Sequence, residues 1–224
     1  MDKNRDKNFH SLSRRACQLA ISPTRIDRAL FMEAKENLYD PEDNPLGSFP
    51  LNMAENQLMA PIVKAKLSNY LKVKEMPDWI MGYTHYLGHP EVRMLIAQFM
   101  EHHLCKCNIN PNTLGLSAGA TATVELTAFL LANPGDVVVI PAPSYPMYTN
   151  DFGIKAGISR FDLQTHENLQ EIGNKAPVTI DLLESAWLRL RTEGRNFKIL
   201  LISSPDNPTG CRYKGSQLRI LANW

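Results

Sequence analysis

Long apolar runs are missing from this 224-residue chain. None approaches the about 20 residues a helix needs to cross a bilayer, so no membrane-spanning helix is expected. Neither sign of charge dominates: 24 Lys and Arg stand against 23 Asp and Glu, a net charge of +1. That balance supplies no electrostatic footprint for nucleic acid or an anionic membrane, so any ligand must be held by a shaped site. Cysteine is scarce. Cys17, Cys105, Cys107 and Cys211 form no disulfide framework, and reduced thiols in a cytoplasmic protein are the expectation. Neither internal repeats nor low-complexity segments occur. The stretch Met1 to Arg15 lacks an apolar centre and carries early acids at Asp2 and Asp6. It therefore resembles neither a secretory signal nor a transit peptide.

One segment invites a test for metal, His102-His103-Leu104-Cys105-Lys106-Cys107. A closed zinc site needs a second, well-placed ligand pair, and no CxxC or HxxxH stands elsewhere, so no metal site is expected. The segment reads instead as a helix end, where basic side chains meet the negative end of the dipole. His85 and His89 read as solvated loop residues. The nine methionines read as core packing.

What is present is an ordinary globular composition, 44% hydrophobic and 21% charged, which predicts a real core. Residues 1–22 are polar and expected to form a mobile arm. A helix follows from Pro23, with Ile26, Ala29, Leu30 and Ala34 at helical spacing, and should end before the turn-rich residues 40–47. A short extended piece is expected at Phe49 to Met53. Pro61 and Pro90 each open a helix, since proline suits a first helical turn. Beyond them the pattern alternates: a helix at Thr121 to Ala132, an apolar strand at Val137 to Ile140 stopped by Pro141, and a strand at Ile158 to Leu163. A Thr179-capped helix, a strand at Lys198 to Ile202 and a helix from Gln217 complete it. Fully apolar strands between helices predict a three-layer α/β/α domain around a largely parallel sheet. Small-domain residues over 23–57 and a large domain over 58–224, incomplete on its C-terminal side, are the expected division.

Three motifs fall at strand-to-helix junctions. Ser117-Ala118-Gly119-Ala120-Thr121 opens a helix, where small residues let N–H groups approach an anion such as phosphate. Pro141-Ala142-Pro143-Ser144-Tyr145-Pro146 stiffens a loop that offers the Tyr145 ring for stacking on a flat ligand. Asn207, in Asn207-Pro208-Thr209-Gly210, can aim its amide into a cleft at the sheet's carboxyl edge. Singly, each motif is equally a tight turn. Together they suit a ligand with a phosphate, a planar ring and a ring oxygen, as pyridoxal phosphate has.

With Ala54-Glu55-Asn56-Gln57-Leu58, Tyr86 and Asn133-Pro134-Gly135-Asp136, these motifs resemble the class I/II (fold type I) pyridoxal-phosphate-dependent aminotransferases. More narrowly, the chain looks like their 1-aminocyclopropane-1-carboxylate (ACC) synthase-like branch, over about residues 44–224. The loop around Tyr86 departs from the family's Tyr-His-Gly-Leu, reading Tyr86-Leu87-Gly88-His89. The resemblance implies that Gly119, Ala120 and Thr121 hold the phosphate of pyridoxal 5′-phosphate, Tyr145 stacks on its ring and Asn207 binds its phenolic oxygen. It also implies that Tyr86 reaches the phosphate of a neighbouring subunit in a homodimer and that Glu55 lies near an amino-acid substrate. In the family the Schiff-base lysine follows the Asn-Pro-Thr-Gly segment, and no lysine here stands in that context. The expectation is an N-terminal fragment of an aminotransferase or ACC synthase-like lyase. The alternative is a catalytically inactive pyridoxal-phosphate-binding or interaction protein.

Overall fold

A computed structural model describes residues 11–22, 25–165 and 178–224. Residues 1–10 of the expected N-terminal arm and the helix start at Pro23 lie outside them. The chain forms two compact units, Met1–Thr84 and His85–Trp224.

In the first unit, helix α1 (Arg14–Ile21) has its start capped by the Ser13 hydroxyl. Helix α2 (Ile26–Lys35) follows as anticipated. The next turn is held by the Asp40 carboxylate, which accepts the N–H groups of Glu42 and Asp43 at 2.8 Å each. Phe49 stacks on Tyr39 at 4.3 Å. Residues 49–53 turn instead of extending, because Leu51 and Met53 donate back to Phe49 and Pro50. Helix α3 (Ala60–Val73) starts with Pro61 in its first turn. None of the described residues of this unit is buried.

The second unit begins with α4 (Pro90–Met100), which runs into a π-helical turn at Glu101–Cys105 ended by Lys106 at φ 51°. Helix α5 (Gly119–Leu131) leads into strand β1 (Val137–Ala142), and α6 (Tyr148–Gly153) into β2 (Ser159–Gln164). Helix α7 (Ile180–Thr192), β3 (Phe197–Leu200) and α8 (Gly215–Asn223) complete it. The sheet is parallel, in the order β2-β1-β3. All six β1 residues are buried, as a central strand covered on both faces requires. Pro141 lies inside this strand instead of stopping it. The pairing with β3 ends at Val139, so the missing proline N–H falls past that ladder.

Alternate side chains divide the core between two faces. Val137 and Val139 pack with Leu163, Leu183, Ala186, Leu190 and Leu221, beneath α7 and α8. Val138 and Ile140 pack with Ala128, Phe152, Ala156 and Ile158, beneath α5 and α6. The sequence β1-α6-β2 steps outward to one side, while β2-α7-β3 steps back across β1. Right-handed crossovers of opposite direction place their helices on opposite faces, giving three layers. Among the described residues no methionine is in the buried core; Met32, Met94 and Met81 are 47%, 43% and 82% exposed.

Candidate functional site

Strands β1 and β3 are neighbours, yet α6 covers one face of the sheet and α8 the other. Chain leaving adjacent strand ends toward opposite faces marks the carboxyl edge as the usual ligand position in such sheets. Tyr145 follows β1, and Asn207 follows β3. Helix α5 returns antiparallel into β1 through a short turn, so its N-terminus lies at that same edge.

The loop carrying Tyr145 is anchored from β2. The Arg160 guanidinium donates to the Ser144 hydroxyl at 2.7 Å, the Tyr145 carbonyl at 3.3 Å and the Thr149 hydroxyl at 3.4 Å. Asp162 holds the same guanidinium at 2.7 Å. The Tyr145 ring meets Tyr148 edge-on at 5.3 Å and remains 36% exposed. The Ala142–Pro143, Ser204–Pro205 and Asn207–Pro208 peptide bonds are cis.

Helix α5 starts without a side-chain cap, so its first N–H groups have no partner from Ala118's side chain. Gly119 sits at φ +88° with nothing within 4 Å of the position a Cβ would take. The backbone is therefore open to a close ligand, and in a conformation that side-chain-bearing residues avoid. Ser117 and Thr123 hydroxyls bond each other at 2.6 Å beside it. The Thr121 hydroxyl turns to Asp151 on α6, a carboxyl only 4% exposed. Burial raises the Asp151 pKa; the Thr121 bond opposes that rise, and the charge of Glu125 adds to it. Thr121 and Tyr145 are thus both tied to α6, one through Asp151 and the other through Tyr148.

Asn207 is exposed on a turn built around buried Asp206. The Asp206 carboxylate accepts the Thr209 hydroxyl at 2.6 Å, while its backbone pairs with Cys211 and Gly210 at 2.8 Å each. Beneath this turn, burial first and then the Asp206 charge push the Tyr213 hydroxyl up to about 12.

Tyr86 lies in the same unit on a separate loop, 86% exposed and stacked on His85 at 4.3 Å. Arg93, 5% exposed, braces this loop by donating to the carbonyls of Gly88 and Pro111 at 3.1 Å each. His85 is exposed, but His89 is half-buried, so the expectation of a solvated loop holds for only one of the two. Glu55 belongs to the first unit, where it is exposed and accepts from the Gln57 amide at 2.8 Å. Lys155 lies 3.9 Å from Glu125, Lys198 is within β3 and the Lys214 N–H is held by Gln217 at 2.7 Å.

The edge therefore offers helix N–H donors and hydroxyls for an anion, an accessible aromatic face and an accessible amide. This donor set suits a flat phosphorylated ring bearing an oxygen acceptor. Sequence reasoning missed Arg93, Asp151, Arg160 and Asp206. The available signal was a charged residue inside an otherwise apolar or turn-forming stretch, which is costly unless it is hydrogen-bonded on burial. A groove lined by Trp187, Leu188, Phe197, Leu200 and Trp224 together with Glu184 and Lys198 opens on the α7 side of β3 and brings together none of the expected site residues.

The family model "Aminotransferase class I and II" matches residues 50–224. ACC synthase 6 of Arabidopsis thaliana is 31% identical over 199 residues, 85% of this chain and 39% of that protein. ACC synthase 7 of the same plant is 28% identical, over 100% of this chain and 51% of that protein. The chain thus spans between about two fifths and half the length of these relatives. Among solved structures, an aminotransferase from Mycobacterium tuberculosis superposes with a TM-score of 0.65 at 20% identity, over 95% of this chain and 48% of that one. Aspartate aminotransferase from Thermus thermophilus gives 0.63 at 21%, over 95% and 49%.

Proposed function

Because the chain belongs to the class I and II aminotransferase family, whose cofactor is pyridoxal 5′-phosphate, we propose that the carboxyl edge of its sheet binds that cofactor and that the whole protein acts on an α-amino acid. The observation carrying this reading is the shared attachment of Thr121 and Tyr145 to α6 at the edge where α5 begins. In this reading Gly119, Ala120 and Thr121 hold the phosphate through main-chain N–H groups and the hydroxyl. Tyr145 stacks on the ring and Asn207 donates its amide to the ring oxygen. Tyr86, with its exposed ring, reaches the phosphate of a second copy in a homodimer, and Glu55 lies near the amino-acid substrate.

When bound, the cofactor supplies an electron sink for chemistry at the substrate's α-carbon. Holding and orienting it is the work of these residues. Residues 1–224 are proposed to bind it without a covalent bond and without turnover, which makes this segment by itself a catalytically inactive binder. Lys155 lies 3.9 Å from Glu125, Lys198 is within β3 and Lys214 is the residue before α8, so none of the three belongs to a loop that carries the proposed site. Between transamination and an ACC synthase-like lyase reaction, the relatives' names and Glu55 favour the second.

The test is equilibrium dialysis of the purified chain against pyridoxal 5′-phosphate, followed by borohydride reduction and mass spectrometry. Saturable binding, weakened in Thr121→Ala and Tyr145→Ala, with no covalent adduct, is the expected result. Unchanged binding in both variants would overturn the site, and a reduced lysine adduct would overturn the non-covalent reading.

A further inference from the structure

We propose that Arg160 is a positioning residue that sets the orientation of Tyr145 for the cofactor ring, an inference resting on the reading above. Its guanidinium is fixed on its own strand by Asp162, through Nε at 2.8 Å and Nη2 at 2.7 Å. The remaining donors reach the neighbouring loop at the Ser144 hydroxyl and the Tyr145 carbonyl, and the first turn of α6 at the Thr149 hydroxyl. Arginine's planar fork can serve two directions at once, whereas a lysine ammonium on the same strand is a point charge without that geometry. The arginine side chain is 15% exposed, so water competes weakly for these donors.

The strut stands on a rigid base. Arg160 is in register with Val138 of β1, and Val138 is wholly buried beneath α5 and α6. The sheet thus positions the loop at two points: β1 delivers its start, and β2 holds its middle through Arg160. A ring held before the ligand arrives loses less conformational freedom on binding, and the gain appears as affinity. The proline rings at Pro143 and Pro146 limit the backbone on the loop itself, and the Arg160 strut adds a restraint from β2.

The experiment is a double-mutant cycle on the full 224-residue chain. Pyridoxal 5′-phosphate affinity is measured for the parent, Arg160→Met, Tyr145→Ala and the double variant, with Arg160→Lys as control. Circular dichroism checks that each is folded, and hydrogen exchange of residues 144–149 is followed without cofactor. Arg160→Met is expected to weaken binding about tenfold alone and under about twofold when Tyr145 is already alanine, the coupling of residues that act as one unit. Loop exchange should rise in Arg160→Met while β1 stays protected, and Arg160→Lys should recover only part of the affinity.

Equal losses in both backgrounds would overturn the proposal, as would full recovery by lysine, which would assign the effect to charge. Unchanged loop exchange would sink the strut while leaving the cofactor reading intact. If Tyr145→Ala matched the parent, the stacking role would fail together with this inference, even where exchange showed the loop to be held.

Discussion

The hydroxyl of Thr121, at the start of α5, is hydrogen-bonded to the buried carboxyl of Asp151 on α6. A hydroxyl has one proton to donate, and a carboxylate at Asp151 claims it. An anion arriving at the α5 N-terminus therefore competes with Asp151 for the Thr121 proton. An asparagine amide can reverse the bond by donating to Thr121, which frees the hydroxyl proton. Asp151→Asn is therefore expected to tighten binding of pyridoxal 5′-phosphate at neutral pH, measured by dialysis; weaker binding would contradict this account.

The same residue has a signature in stability. Burial raises the folded Asp151 pKa, so the ionised form is the disfavoured one in the folded state. Its penalty is absent below the ordinary carboxylate value of 3.8, develops as pH rises through the raised folded pKa, and persists above it. Asp151→Asn should therefore be more stable than the parent at neutral pH, with the difference vanishing in acid. Urea melts across that range decide the matter.

Asp136 behaves with the opposite sign. Its carboxylate accepts the Asn133 N–H and the Asn196 amide, each at 2.8 Å, and these bonds hold its pKa below the usual range. Its stabilisation is present above 3.8 and lost as pH falls toward the depressed value. Asp136→Ala strands donors beside the start of β1 and is expected to cost about 1–3 kcal/mol at neutral pH. The loss should shrink in acid.

Tyr213 offers a stabilising substitution. Its hydroxyl oxygen is buried with no hydrogen-bond partner among the described residues. Tyr213→Phe removes that uncompensated group and keeps the ring packed against the α7-side core. The midpoint of urea unfolding should stay level or rise, by an amount up to about 1 kcal/mol. A clear loss would reveal a partner for the hydroxyl.

Gly88 tests the loop that presents Tyr86. It stands at φ +104°, and a Cβ there would meet Leu116 at 2.8 Å. Strain and contact act together, so Gly88→Ala should destabilise the chain by about 1–3 kcal/mol in thermal or urea melts. Unaltered stability would mean that Leu116 moves aside freely.

Periodicity made the central architecture legible: α5, α7 and the apolar run of β1 stand near where their patterns place them, because each buries a face matched to its own repeat. Helix α6 was not anticipated, since six residues after a proline-rich loop are too few to show a period. Nor was α1, a polar helix with no buried residue, which hydrophobic spacing cannot reveal.

The chain's residue order by itself determined the kinds of element, the parallel sheet and the motifs Gly119-Ala120-Thr121, Tyr145 and Asn207, because periodicity and turn chemistry are local. Only tertiary structure decided that Asp151 reaches Thr121, that Arg160 reaches Tyr145 and that Asp206 underlies Asn207's turn. The first two of these meetings bring together residues 30 and 15 positions apart. They exist because the sheet register and the helices over it bring those side chains within reach, and burial then makes each charge find a partner.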